Sequence, residues 1–205
     1  MFKFLTLRSF IFSLVELSYM RLIIKPEKPN FRLIVEAQAY KEVWKANSRK
    51  ILKAFRDITH LDFKQKVITA HVHDNIISLS GYRRTPMKLH GRGRTSDDKL
   101  FTIVHELCHR LLGGNGLRTL TPESLSKLDD HKLMYLFESD VVRAALGNEM
   151  TEKLETFELR DSLGKDSIYL KEYLEAWQWA MNMTLQQRQE KLNNLITAKR
   201  YDKVL

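Results

Sequence analysis

The stretch over residues 100–112 constrains the fold of this 205-residue chain more than any other segment. It is apolar on most sides. Thr95 before it supplies a side-chain cap, and the aspartates that follow Thr95 suit the positive end of a helix. The glycines at 113 and 114 signal a helix stop. Because a helix that is apolar nearly all round is stable only inside a core, the sequence predicts a central, buried helix here.

Two histidines lie in this helix, in the segment His105-Glu106-Leu107-Cys108-His109. Residues four apart lie on one helix face, one turn from each other, so both imidazoles can reach a single cation. Imidazole nitrogen binds zinc at about 2.0–2.1 Å. Burying two histidines and a glutamate costs free energy unless they are paired or serve a site. We therefore interpret His105 and His109 as metal ligands.

The segment resembles the His-Glu-x-x-His motif of the zinc metallopeptidases called zincins. Uncharged residues flank it, as in the extended motif of that family, and the resemblance covers about residues 64–146. Arg110 departs from the pattern, because the family usually has an uncharged residue there. The resemblance implies Zn²⁺ as cofactor and hydrolysis of a peptide or protein by a metal-activated water. It also implies that Glu106 is the general base that takes the proton of that water.

A catalytic zinc needs a third protein ligand and an open coordination position. The metzincins use a histidine six residues after the second one, but that position is Asn115 here. Glu138, on the next long predicted helix, resembles the third ligand of the gluzincins. His131 resembles the third ligand of Spartan-like, DNA-associated proteases, and Asp140 resembles that of the aspzincins. All three stay open, and His131 and Glu138 are spaced so that one can bind the metal and the other can support it.

The resemblance also implies a hydrogen-bond donor for the negative charge that develops on the substrate carbonyl oxygen. His131, Tyr135 and Tyr82 are the candidates for this donor. Substrates of zincins commonly pair with the strand that precedes the motif helix, which here is the predicted strand over residues 76–82. No specificity pocket can be inferred from the sequence, so the substrate stays open.

The remaining pattern predicts an α+β fold, in which a small antiparallel sheet packs on the central zincin-like helix and a helical C-terminal part follows. Residues 21–25 indicate a strand and residues 31–58 a helix. Alternation over residues 66–73 and 76–82, with a turn signal between them, predicts an antiparallel hairpin, and residues 83–95 indicate a loop. Further helices are predicted over residues 129–146, 151–163, 168–183 and 185–200.

The chain is predicted to form one zincin-like domain over residues 20–205, after an apolar extension over residues 1–19. The extension is dispensable if the natural start is Met20. Its longest charge-free run is too short to span a bilayer, so no membrane partner is expected. Cys108 is the one cysteine of the sequence and can form no internal disulfide. This favours a reducing compartment, the cytoplasm.

The formal net charge of +9 is concentrated in the first half, where residues 1–104 carry 20 Lys and Arg against 9 Asp and Glu. A basic half can contact nucleic acid, although a solvated basic surface explains the same charge. Two alternatives to a plain metallopeptidase therefore remain. One is a DNA-associated protease with His131 as third ligand, and the other is a non-catalytic regulatory or binding protein with a structural or vestigial metal site. The oligomeric state stays open.

Two further features have structural interpretations. His71 and His73 share one face of a predicted strand, and we interpret them as a solvent-facing pair and not as metal ligands. Cys108 lies between the two motif histidines and points away from them, so it is predicted to be a small core residue.

Overall fold

A computed structural model describes residues 20–74, 78–80, 85–91, 93–117, 127–163 and 168–201. In chain order the elements are β1 (Arg21–Pro26), α1 (Phe31–Thr59), β2 (Val67–His73), β3 (Met87–His90), α2 (Ser96–Gly114), α3 (Lys127–Tyr135), α4 (Glu138–Leu146), α5 (Asn148–Leu163), α6 (Ile168–Met181) and α7 (Leu185–Tyr201). The α+β class and the helical second half agree with the sequence prediction. The predicted extension over residues 1–19 lies outside the described residues.

The three strands form a parallel sheet in the order β1-β2-β3, so the prediction of a small antiparallel sheet is wrong. Most of the second strand of the predicted hairpin, over residues 76–82, lies outside the described residues. The cause of the parallel direction is the connection between strands. Helix α1 connects the end of β1 with the start of β2, and parallel strands require a long crossover of this kind, usually a helix. After β2 the chain turns back, so that β3 runs in the same direction as β2. It contacts β3 on the way, because the backbone of Leu79 pairs antiparallel with that of Lys88.

Strand β3 lies inside the stretch that the sequence predicted to be a loop. Its four residues alternate, with Met87 and Leu89 fully buried and Lys88 and His90 half-buried. Four residues are too few for periodicity to separate a strand from a loop. Pairing with β2 is what makes this segment a strand: Ala70 lies opposite Met87 in the ladder, and both side chains are on the same buried face.

One face of the sheet is buried against the helices. Leu22 and Ile24 of β1 lie on it, and the next strands continue the same layer. Partner residues in a parallel ladder point to the same side, so the register of the sheet keeps all these apolar side chains together. Helix α1 packs on β1 and β2, while α2 packs on β3.

Helix α2 is the predicted central helix. Its N-terminus has a capping box, in which the Thr95 hydroxyl accepts from the Asp98 backbone N–H and the Asp98 carboxylate accepts from that of Thr95. Every side chain from Asp98 to Leu112 is buried except His105, whose side chain is 18% exposed. The prediction of a buried helix is confirmed, and the single position that reaches a more open environment is a motif histidine.

The predicted helix over residues 129–146 is two helices, α3 and α4, separated by a turn at Leu136 and Phe137. The Phe137 N–H donates to the carbonyl of Met134, a tighter contact than the helical one, and the side chains of Leu136 and Phe137 are both fully buried. The Phe137 ring packs edge-on against Phe55 of α1, with 6.4 Å between ring centroids. Tertiary packing therefore breaks a pattern that is continuous in sequence.

The C-terminal helices α5, α6 and α7 occupy the predicted stretches within a few residues. A buried ion pair attaches α7 to α4: Arg188 lies 2.6 Å and 3.1 Å from the two carboxylate oxygens of Asp140. Among the helices that the structure describes, none has the length and apolar character needed to cross a membrane.

Candidate metal centre

Three histidine rings from two helices converge in the core. The ring centroids of His105 and His109 on α2 lie 5.1 Å apart, and those of His131 on α3 lie 5.5 Å and 4.9 Å from them. One nitrogen from each ring lies within 4.8 Å of the corresponding nitrogens of the others. Two ligands of a tetrahedral zinc ion lie about 3.4 Å apart. Small side-chain rotations would therefore bring all three nitrogens onto one ion.

Local structure explains this convergence. The spacing of His105 and His109 places them on one face of α2, one turn apart. His131 lies at the middle of α3, which packs against α2, and its side chain is buried. The break between α3 and α4 lets α4 begin at Glu138 in a new direction, so that Glu138 also reaches His105.

Two carboxylates lie close to the Nδ1 atom of His105. Glu138 Oε1 lies 3.4 Å from it, and Oε1 of Glu158, on α5, lies 3.3 Å from it. The Tyr135 hydroxyl donates to the other oxygen of Glu158 at 2.8 Å. His105, Glu138 and Glu158 form a second set of groups close enough to hold a metal ion. His105 thus belongs to both sets, with its Nδ1 atom on the carboxylate side.

The charges of this cluster perturb one another strongly. Burial alone would lower the pKa of His105, but the carboxylates of Glu138 and Glu158 outweigh burial and hold that pKa well above its usual value. Burial, followed by the nearby Glu158 charge, raises the pKa of Glu138 to about 7. Burial, followed by Glu158, also raises the pKa of Tyr135, whose phenol therefore stays a proton donor. The carboxylates of Glu138 and Glu158 thus give this buried cluster a negative potential, which favours binding of a cation.

We expect these shifts to make the metal-free protein less stable as pH rises. Glu138 has a folded pKa of about 7 against 4.5 when exposed, so the folded state holds an extra proton between those values. The raised pKa of His105 acts in the same direction above 6.5. The free energy of unfolding of chelator-treated protein should fall by on the order of 3 kcal/mol from pH 5 to pH 8. Chemical denaturation at both pH values measures this.

The Glu138→Gln variant is the control for that experiment, because it cannot ionise at the shifted position. Its metal-free stability should change much less over the same pH range. A wild-type free energy of unfolding that stays level or rises from pH 5 to pH 8 would contradict the prediction.

Glu106 lies on α2 between the two motif histidines, and its side chain is only 4% exposed. Its carboxylate acts on the hydroxyl of Tyr173, a half-buried tyrosine of α6. Partial burial is the largest cause of the raised pKa of Tyr173; His105 opposes it, while Glu106 and Glu158 add to it. The predicted base and this tyrosine thus share the electrostatic field of the histidine cluster.

The structure separates the three candidates for the third ligand. His131 joins His105 and His109, while Glu138 contacts the far nitrogen of His105. Asp140 belongs to neither metal-sized group among the described residues, and its oxygens pair with Arg188 and, at 3.2 Å, with Arg143. A buried carboxylate held by two guanidinium groups is a structural ion pair.

Other sequence predictions meet different outcomes. Cys108 is fully buried, as predicted, and burial raises the pKa of its thiol well above the usual value. His73 is 1% exposed, so the interpretation of a solvent-facing pair is wrong for it; His71 is half-buried. Of the predicted substrate-pairing strand over residues 76–82, the structure describes only residues 78–80, and Tyr82 lies outside the described residues.

Arg110, the position that departs from the zincin pattern, has a structural explanation. Its guanidinium donates to the Thr85 carbonyl and, at 3.3 Å, to the Gln65 side chain. These contacts tie α2 to the chain before β2 and to the chain before β3. The buried charge of Arg110 is therefore stabilised by residues far from it in sequence, which the motif around His105 and His109 does not include.

Sequence reasoning missed two residues of the cluster, Glu158 and Tyr173. Glu158 is one of several glutamates in α5, and only its burial, 7% exposed, distinguishes it. The ring centroid of Tyr173 lies 4.0 Å from that of His131. Both lie far along the chain from the motif helix, and no spacing rule connects them to it.

We compared the chain with models of known protein families, with curated proteins and with solved structures, and none of them matches it. The geometry of the histidine and carboxylate cluster is therefore the basis for assigning a function.

Proposed function

We propose that this chain is a zinc-dependent hydrolase of peptide bonds. His105, His109 and His131 hold the metal in this proposal, and Glu106 carries the proton. The single observation that supports it most is the convergence of three histidine nitrogens beside a buried glutamate on the motif helix. Three nitrogen ligands with a fourth position left for water are typical of catalytic zinc sites.

The residues fit a dication. Histidine binds a metal in its neutral form, so the ion takes the place of the extra proton on His105 and the three imidazoles bring no charge of their own. The carboxylates of Glu138 and Glu158 lie just behind His105. Both oxygens of Glu138 are fully buried and accept no hydrogen bond of normal geometry among the described residues. Two buried carboxylates beside three imidazoles balance the charge of a divalent ion, which removes the cost of leaving them uncompensated.

Glu138 and Glu158 also orient the ligand. A metal-binding histidine usually gives its other ring N–H to a carboxylate, which fixes the tautomer and makes the ligand nitrogen more basic. With Nδ1 of His105 turned to the two carboxylates, its Nε2 is the nitrogen left for the ion. This favours Glu138 as a support for His105, and His131 as the third ligand.

The chemistry follows from these roles. A zinc ion, when bound, lowers the pKa of a coordinated water towards 7 and polarises a substrate carbonyl. Glu106 takes the proton of the attacking water and later delivers it to the leaving amine. The apolar surroundings of α2 exclude bulk water, which strengthens each of these electrostatic contacts. The partner in this proposal is a peptide or protein; the nucleic-acid partner suggested by the basic first half stays a prediction.

We expect about one zinc per chain when the protein is purified without added metal, because the cluster is preformed and charge-balanced. Elemental analysis measures the metal content. Cleavage of an internally quenched random-peptide library should disappear with a chelator and return with zinc.

The possible outcomes separate the alternatives. If the protein holds no metal and takes up none on reconstitution, the proposed site is wrong. If it holds zinc and loses thermal stability on chelation but cleaves no peptide, the metal is structural and the non-catalytic alternative gains support.

A further inference from the structure

A tyrosine covers one side of the histidine cluster. The Tyr173 ring on α6 stacks on the ring of His131, with 4.0 Å between centroids and 38° between planes. Helix α6 packs along α3, so this contact belongs to a helix-helix interface and not to a loop. Tyr173 is half-buried, which leaves part of it accessible beside the cluster.

The hydroxyl of Tyr173 differs from those of the other tyrosines whose side chains the structure describes. Tyr40 donates to the His90 carbonyl at 2.9 Å, and Tyr135 donates to Glu158. Both of those tyrosines are fully buried and their hydroxyls are already used. Within the described part of the chain, no hydrogen bond engages the hydroxyl of Tyr173.

This contrast bears on a need of the proposed reaction. When water attacks an amide, negative charge develops on the carbonyl oxygen, and a positioned donor for that oxygen accelerates the reaction substantially. Tyr135 is already committed to Glu158, and His131 has the geometry of a ligand. Tyr173 is aromatic, held by its contact with His131, a ligand in the proposal, and partly accessible.

We propose that Tyr173 is a catalytic residue whose hydroxyl donates a hydrogen bond to the carbonyl oxygen of the scissile amide. This inference rests on the proposed function and deepens it. In the first step the water oxygen bonds to the carbonyl carbon while Glu106 takes one of its protons, the π pair moves to the carbonyl oxygen, and Tyr173 donates to that oxygen without losing its proton. In the second step the pair on that oxygen re-forms the carbonyl bond, the C–N bond breaks with its electron pair going to nitrogen, and Glu106 returns its proton to nitrogen. The products are a carboxylic acid and an amine, and the acid then gives its proton to the amine.

Replacement by phenylalanine separates the hydroxyl from the ring. Tyr173→Phe keeps the stack on His131 and removes only the donor. We expect kcat on the quenched peptide library to fall by about 10²-fold, with KM and zinc content little changed, because the lost contact strengthens as charge develops. Tyr40→Phe makes the same chemical change at a fully buried hydroxyl that already donates to the His90 carbonyl, so it should leave kcat unchanged.

A measurement without turnover tests the donor directly. Wild-type protein is loaded with cobalt, and acetohydroxamate, whose carbonyl oxygen imitates that of a substrate, is titrated while the visible spectrum of the metal is followed. Tyr173→Phe should bind acetohydroxamate about tenfold more weakly than wild type, while Tyr40→Phe should bind it like wild type.

The outcomes distinguish this inference from the function on which it rests. If wild type takes up no cobalt, both are overturned. If Tyr173→Phe binds cobalt and acetohydroxamate like wild type, the donor role is overturned and the proposed function stands. If in addition Tyr173→Ala loses cobalt, Tyr173 is only a packing partner of His131.

Discussion

Replacing Glu106 by glutamine should leave zinc binding intact and reduce peptide hydrolysis by on the order of a thousandfold. Glutamine has nearly the same shape as glutamate and suits the buried position, which is 4% exposed. It cannot accept the proton of the attacking water or deliver one to the leaving amine, and such proton transfers contribute about 10²–10⁴-fold. The measurement is kcat/KM on the quenched peptide library, together with zinc content by elemental analysis.

Measuring zinc content beside activity makes this experiment decisive. Glu106 lies beside the ligands but is not one of them in the proposal, so the metal content should stay near that of wild type. Loss of both zinc and activity would instead indicate that Glu106 supports the fold or binds the metal. Hydrolysis at the wild-type rate would show that the proposed mechanism is wrong, whatever the metal content.

Removing the imidazole of His131 should abolish tight zinc binding, and this is the second large expected effect. His131→Ala leaves two protein nitrogens, both from α2, whereas catalytic zinc sites have three protein ligands. Loss of a residue that only supports a ligand typically weakens metal binding by about 10–100-fold. We expect the dissociation constant for zinc to rise by more than this in His131→Ala, because a ligand itself is lost. Competition with a chromophoric chelator measures it.

The matched variants are Glu138→Gln and His71→Ala. Glu138→Gln should weaken zinc binding by about 10–100-fold if Glu138 supports His105. If Glu138 is itself the third ligand, Glu138→Gln should be the variant that loses zinc, and His131→Ala should keep it. His71 lies in β2, outside the metal-sized groups that the described residues form, so His71→Ala should bind zinc like wild type.

The pairing of His105 with His109 could be predicted because it depends on local structure alone. The helical repeat places His105 and His109 on one face whatever surrounds them, and a helix apolar on most sides must lie in the core. The cap at Thr95 defines the start of that helix through contacts within four residues. These features, with the α+β class, follow from short-range geometry and burial.

The sheet direction could not be predicted in the same way. Alternation indicates a strand but carries no information on its partner, so residues 66–73 and their successor suggested the nearest antiparallel pairing. The chain instead uses α1 as a crossover between β1 and β2, and β3 joins at the far side of β2.

Sequence alone therefore determined the motif helix, its buried position and two nitrogens spaced for one ion. Tertiary structure decided what surrounds them. The turn at Leu136 and Phe137 directs α3 and α4 so that His131 meets the histidine pair and Glu138 meets the far side of His105. Glu158 and Tyr173 arrive on later helices. Helical periodicity acts within one element, whereas the packing that brings separate helices together is specified by the core as a whole.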